Sequence, residues 1–105
     1  MQARMVQTAT MGTPAETETE TETITGGELL SRCLQAEGID FCCGIVDGAH
    51  IPFVSHLDDH GIAYVNARHE EAATHIAEAH SRIGHRPAVG IGNPGPGGAN
   101  MLAGL

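Results

Sequence analysis

Two stretches decide how this chain folds: Arg68-His69-Glu70-Glu71-Ala72-Ala73, and Gly92-Asn93-Pro94-Gly95-Pro96-Gly97-Gly98-Ala99-Asn100. The first opens a segment in which Ala72, Ile76, Ala79 and Ile83 recur at i, i+4, i+7 and i+11, the spacing of one apolar helix stripe. A helix from Glu70 to Ile83 is expected, closed by Gly84. Glu70 and Glu71 fall in its first turn, where the helix dipole favours anions. Ala88 to Ile91 then reads as a short buried strand, and the glycine-rich stretch follows as its exit turn.

The same alternation extends backwards. Ile62 to Asn66 and Ile39 to Ile45 read as two further strands. Between them Ile51, Val54 and Leu57 suggest a short helix ended by Gly61. Ahead of them Thr25-Gly26-Gly27-Glu28 fits a capping box, with Thr25 as N-cap. Leu29, Leu30, Cys33 and Leu34 continue it at helical spacing, and Gly38 suits the position after the helix. At the other end Asn100 to Leu105 is expected to start a helix. Largely apolar strands that alternate with helices imply a parallel sheet covered on both faces. The expected fold is therefore α/β, an incomplete parallel sheet of about three strands that lacks partners on at least one side.

Residues 1–24 read differently. From Glu16 to Thr23 the chain alternates Glu and Thr, and neither face of such a strand would be apolar. A solvated, self-repelling and disordered tail is expected, followed by a folded region over 25–105. The whole chain has 105 residues, room for one small domain. Aromatics make up 3% and there is no Trp, so the core must be built from Ala, Ile, Leu, Val and Cys.

Charge and cysteine content exclude several functions. The formal net charge is −8, and all five basic residues are arginines, which argues against nucleic-acid binding. Cys33, Cys42 and Cys43 are odd in number and include an adjacent pair, so they are not a disulfide framework. Cys42 and Cys43 read as small core residues, and a cytoplasmic setting follows most simply. No apolar run approaches the length that crosses a bilayer, and the N-terminus has no secretory h-region.

Histidines invite a metal reading that the spacing does not support. His56 and His60 stand at i, i+4, but Leu57 occupies the place of the Glu in H-E-x-x-H, and no cysteine pair has zinc-finger spacing. Metal ligands expected: none. Ser31, Ser55 and Ser81 lie in helical patterns rather than on nucleophile turns.

The glycine turn has three readings. Gly92 to Gly98 holds four glycines and two prolines, more than an ordinary strand-to-helix turn requires. Glycines there let the backbone approach a ligand at the carboxyl end of a strand, where open α/β sheets bind. Gly90-Ile91-Gly92-Asn93-Pro94-Gly95 also matches G-x-G-x-x-G, but proline lies inside the turn, so a dinucleotide site is the weaker reading. Glu70 likewise has two: a common first-turn helix acid, or a carboxylate at the sheet's carboxyl edge. If buried there its pKa would rise and it would exchange a proton near neutrality.

From Thr25 to Leu105 the chain resembles the start of the pyrimidine-binding domain of thiamine-diphosphate-dependent enzymes. The nearest group is that of acetolactate synthase, benzoylformate decarboxylase and oxalyl-CoA decarboxylase. Thr25-Gly26-Gly27-Glu28-Leu29-Leu30 and Gln35-Ala36-Glu37-Gly38-Ile39 resemble the family's first helix. Arg68-His69-Glu70-Glu71-Ala72-Ala73 is similar to its R-H-E-x-x-A segment. Ser81-Arg82-Ile83-Gly84-His85-Arg86-Pro87 is similar to A-R-x-T-G-K-P, and Gly95-Pro96-Gly97-Gly98-Ala99-Asn100 to G-P-G-A-T-N. The departures are Gly44-Ile45-Val46-Asp47-Gly48 in place of G-I-P-G, where Val46 and Asp47 bear on the pyrimidine pocket or substrate channel, Asn93-Pro94 in place of Thr-Ser, and Gly98-Ala99 in place of Ala-Thr.

The resemblance implies that Glu70 is catalytic, hydrogen-bonding N1′ of the aminopyrimidine of thiamine diphosphate and so promoting loss of the thiazolium C2 proton. It implies that Gly95, Pro96, Gly97 and Asn100 shape the cofactor pocket. It implies Mg²⁺ held through a G-D-G…N motif in a pyrophosphate-binding domain or partner subunit not present in this chain, and a homo-oligomeric full-length enzyme. The chain is accordingly expected to be the N-terminal piece of a lyase or transferase acting on 2-oxo acids or acyl-CoA, inactive alone. The alternatives are a pyrimidine-binding subunit that needs a partner chain, and a non-catalytic nucleotide-binding or interaction module.

Overall fold

The computed structural model describes residues 21–105. Most of the expected Thr/Glu-rich tail, residues 1–20, lies outside the described residues. Within the described part, Glu22 forms a bidentate contact with the Arg32 guanidinium at 3.0 Å, so this end of the acidic segment meets the first helix.

The fold is a three-stranded parallel sheet with helices. Helix α1 spans Gly26–Ala36, strand β1 Phe41–Gly44, helix α2 Ile51–Val54, strand β2 Ala63–Asn66, helix α3 Glu70–Gly84, strand β3 Val89–Ile91 and helix α4 Pro96–Met101. Single 3₁₀ turns follow α2 at Asp58–His60 and α4 at Leu102–Gly104. The strand order is β2-β1-β3, all parallel, with Cys43 paired to Val65 on one side and to Gly90 on the other. All three carboxyl ends therefore open onto one edge.

Local chemistry sets the boundaries. Thr25 caps α1, its hydroxyl accepting from the Glu28 amide at 3.1 Å. Gly38, with φ of 76°, releases the chain after α1, and Gly61, with φ of 70°, releases it after the 3₁₀ turn. The end of α3 differs from expectation. Gly84 stays in the helix and His85 takes the left-handed position at φ 50°. Helix α4 also starts earlier than expected, at Pro96 rather than Asn100. Proline at the first helical position has its φ preset and no amide hydrogen to satisfy.

Successive strand residues face opposite sides of the sheet. Cys42 and Cys43 are both fully buried, one per face. On the Cys42 side Ile39, Leu57, Ile62 and Ile91 form a cluster, against which Leu34 of α1 and Phe53 and Val54 of α2 pack. On the Cys43 side lies α3, where a Cβ on Gly90 would stand 3.3 Å from Thr74 Cγ2. Helices thus cover both faces.

Which face of each helix is buried departs from the sequence expectation. In α3 the buried residues are Glu70, Ala73, Thr74 and Ala77. The expected stripe points outward: Ala72 and Ala79 are exposed, and Ile83 is 82% exposed. In α1 the buried residue is Ser31, while Leu29, Leu30 and Cys33 are exposed. The cause is close approach of backbones. Gly27 lies against the Pro52 carbonyl with no room for a Cβ, and the Ser31 hydroxyl donates to Gly27 O at 3.1 Å and Phe53 O at 3.3 Å. Gly104 sits equally tightly on Thr74. Small residues make these contacts possible, and larger apolar side chains are turned away from them.

Candidate functional site

Glu70 reaches the carboxyl edge of the sheet because β2 ends at Asn66 and α3 begins four residues later. The connection is fixed at both sides of the central strand. Ala67 N donates to Gly44 O at 2.8 Å, and Ile45 N donates to Ile91 O at 3.1 Å. His69 caps α3 in extended conformation, its Nδ1 accepting from the Glu71 amide at 3.3 Å. Glu71 beside it is exposed, whereas Glu70 is 9% exposed and turns inward.

The glycine turn closes over that carboxylate. Asn100 Nδ2 donates to Glu70 Oε2 at 3.1 Å. A Cβ on Gly97 would stand 2.9 Å from Glu70 Oε1 and 3.1 Å from Asn93 Cβ. Gly92 is packed against the Met101 sulfur and lies 3.4 Å, measured from a Cβ, from Glu70 Cγ. Gly95 carries the positive φ of 76° that begins α4, and the turn is held by Gly98 N donating to Asn93 O at 2.9 Å. Gly92 and Gly97 thus make room for side chains of the protein itself. Gly95 and Gly98 face open space, with no atom within 4 Å of an added Cβ.

The structure brings Glu70, Gly97 and Asn100 together, with Gly95 and Pro96 forming the start of the short helix that carries Asn100. Sequence reading missed Asn93 as a member of the site. Its Oδ1 is buried without a hydrogen-bond partner. Its only trace in the sequence is the departure Asn93-Pro94 itself.

The electrostatics of Glu70 correct the expected direction. The Asn100 amide holds the carboxyl below the usual carboxylate range, helped by the residue's own backbone amide and by the neighbouring His69, while burial opposes them. Hydrogen bonds to the charged form outweigh desolvation here, so the carboxylate is ionised at neutrality.

A groove of about 530 Å³ lies elsewhere, between α3 and β3, lined by Thr74, Ala77, Ala88, Gly90, Met101 and Gly104 among others. It contains none of Glu70, Gly95 and Asn100. Volume alone is a poorer guide than convergent polar groups, and the carboxyl edge has those. Among the described residues no helix is long and apolar enough to cross a membrane.

Sequence comparison gives this edge its context. The family described as "Thiamine pyrophosphate enzyme, N-terminal TPP binding domain" matches residues 24–105. The chain is 34% identical over 80 residues to a probable acetolactate synthase large subunit of Methanocaldococcus jannaschii, covering 76% of this chain and 14% of that protein. It is 38% identical over 81 residues to an acetolactate synthase of Bacillus subtilis, covering 76% and 14%. It is 31% identical over 80 residues to the acetolactate synthase isozyme 2 large subunit of Escherichia coli, covering 76% and 15%. The chain therefore spans about one seventh of the length of these curated relatives. With a match that runs from residue 24 to residue 105, over both the Glu70 helix and the glycine turn, the chain belongs to the thiamine pyrophosphate enzymes and carries their N-terminal TPP-binding domain.

Proposed function

We propose that residues 25–105 bind the aminopyrimidine side of thiamine diphosphate, with Glu70 as the catalytic carboxylate and Gly95, Pro96, Gly97 and Asn100 as the walls of its pocket. The observation that carries this reading is the convergence of Glu70 and Asn100 at 3.1 Å on the carboxyl edge of the sheet. The donor set fits the group. An aminopyrimidine offers ring nitrogens and an exocyclic amine. Facing it are a carboxylate, the open backbone at Gly95 and Gly98, and the unpartnered acceptor Asn93 Oδ1.

When bound, thiamine diphosphate supplies an electron sink for making or breaking the bond beside a 2-oxo carbonyl. The chain's own contribution is proton control. Glu70 is ionised in the open site because Asn100 donates to Oε2. Covering it with a heterocycle removes water and pushes its pKa back up. The Glu70 carboxyl would then hold a proton against the bound heterocycle, while Asn100 at Oε2 would keep it from rotating.

The diphosphate and Mg²⁺ are assigned to a pyrophosphate-binding domain or partner subunit. Alone, the chain has neither decarboxylase nor carboligase activity, and the whole enzyme, a cytoplasmic homo-oligomer, acts on 2-oxo acids or acyl-CoA.

Amide-resolved NMR titration of the 105-residue protein with thiamine diphosphate tests this. Saturable shifts at Gly97, Gly98 and Asn100, weakened in Glu70→Gln, are expected, and NAD should leave those positions unmoved. Shifts produced by NAD and not by thiamine diphosphate would replace the reading with a dinucleotide module. Turnover of pyruvate by the isolated chain with cofactor and Mg²⁺ would overturn its inactivity.

A further inference from the structure

Strand β3 and its exit present two bare positions on one face. Gly90 and Gly92 stand two residues apart, so both point to the side of the sheet on which α3 packs. Neither has a positive φ, so backbone conformation does not demand glycine at either place. The space that two side chains would fill is taken by Met101. A Cβ on Gly90 would stand 3.1 Å from Met101 Cε. One on Gly92 would collide with the Met101 sulfur and stand 3.2 Å from its Cγ.

Met101 is held through its backbone as well. Thr74 lies one turn beyond Glu70 on α3 and is 4% exposed. Its hydroxyl is 3.3 Å from Met101 O, beside the Glu70 and Glu71 carbonyls at 3.2 and 2.9 Å. Helix α4 has six residues, too few to hold a position through its own hydrogen bonds. Of these six, Gly97 is buried and Met101 half-buried, while Pro96, Gly98, Ala99 and Asn100 are exposed. Gly97 has no side chain, so the Met101 thioether is the side-chain anchor of α4. The residue before it is Asn100, which donates to Glu70 Oε2.

We propose that Met101 is a positioning residue of this site: its thioether, laid across the bare Gly90–Gly92 face, seats α4 so that Asn100 reaches Glu70. It acts through Asn100 and touches neither cofactor nor substrate. The proposal rests on the cofactor reading above for its functional meaning, because the Glu70 carboxylate matters as the partner of the aminopyrimidine. An unbranched, adaptable side chain suits a shallow channel between a strand and a helix. Gly90 and Gly92 are thereby assigned to Met101 rather than to a ligand.

NMR of the 105-residue protein tests the assignment, with the Glu70 carboxyl titration and the Asn100 side-chain amide signals as readouts. Met101→Ala should raise the Glu70 midpoint as far as Asn100→Ala does, although Asn100 is intact. Met101→Leu, a swap of similar volume, should leave the midpoint near the wild-type value. Gly92→Ala should raise it from the strand side by displacing the sulfur. Gly92→Ala combined with Met101→Ala should go no further than Met101→Ala alone, because the added methyl then meets no sulfur. Should Met101→Ala not fold, Met101→Val, which loses reach and stays apolar, takes its place. An unmoved Glu70 midpoint and Asn100 amide in the folded variant overturn the proposal, as do additive shifts in the double variant. Thiamine diphosphate is titrated into the same samples. Wild-type Gly97 and Asn100 signals that ignore it overturn the cofactor reading, whereas the midpoints judge Met101 without any ligand.

Discussion

Asn100 Nδ2 donates to Glu70 Oε2 across 3.1 Å, tying the last turn of α4 to the first turn of α3. These residues are 30 positions apart, and the bond exists because β3 returns the chain alongside β1 and the glycine turn folds it back over Glu70. The carboxylate is thereby set before any ligand arrives.

Removing that donor should raise the Glu70 titration midpoint. In Asn100→Ala the carboxyl moves up towards its ordinary value of 4.5, because the principal cause of the depression is gone. The sign for stability follows from the depressed native pKa. The contribution of the ionised carboxylate is fully present above the ordinary carboxylate range and is lost as pH falls through the lowered native value. Wild type and Asn100→Ala should therefore differ in melting temperature at neutral pH and converge in acid. Carbon-detected titration of the Glu70 carboxyl checks the first statement and melting curves from neutral to acid pH the second. An unmoved midpoint would remove Asn100 as the cause.

Two isoleucines separate the real core from the stripe that the sequence suggests. Ile62 is 2% exposed and Ile83 is 82% exposed. Ile62→Ala should cost about 2–5 kcal/mol, the transfer and cavity cost of a buried aliphatic chain. Ile83→Ala should change stability by no more than about 0.5 kcal/mol, as expected of a surface position. Urea unfolding of both variants measures the contrast, and equal losses would mean that the Ile83 side of α3 is covered.

The three thiols should divide by burial. Cys33 is exposed, while Cys42 and Cys43 are fully buried. Burial pushes the Cys42 thiol up to about 11 and raises Cys43 as well, which leaves little thiolate on either at neutral pH. A thiol reagent should label one cysteine per folded chain promptly and the other two only after denaturant is added. Rapid labelling of all three in the native protein would contradict the double-sided core.

Much of the fold can be read from local sequence. Thr25 and Glu28 mark the start of α1, Gly38 and Gly61 the turns, and the short apolar runs the three strands, because caps, positive φ and apolar runs are properties of a few neighbouring residues. The ends of α3 and α4 are less legible. A left-handed His85 and a helix that begins at Pro96 depend on how the following chain docks. The two motifs mark Glu70, Gly95, Pro96, Gly97 and Asn100, of which the structure brings Glu70, Gly97 and Asn100 together. Asn93 and Asp47 stand out only as departures from the resembling family's turns, because what those side chains meet depends on how the loops pack.

The alternation of helices and strands, the parallel sheet, and the candidacy of Glu70 and the glycine turn are all readable along the chain. Those follow from periodicity, capping and resemblance, which act over short distances along the chain. Which helix faces are buried, that Asn100 lowers the pKa of Glu70 against the effect of burial, and which glycines face the protein or open space emerge only in three dimensions. Those depend on how closely backbones approach: Gly27 against Pro52, Gly97 against Glu70 and Gly104 against Thr74. Such contacts join residues far apart in sequence, and no local pattern encodes them.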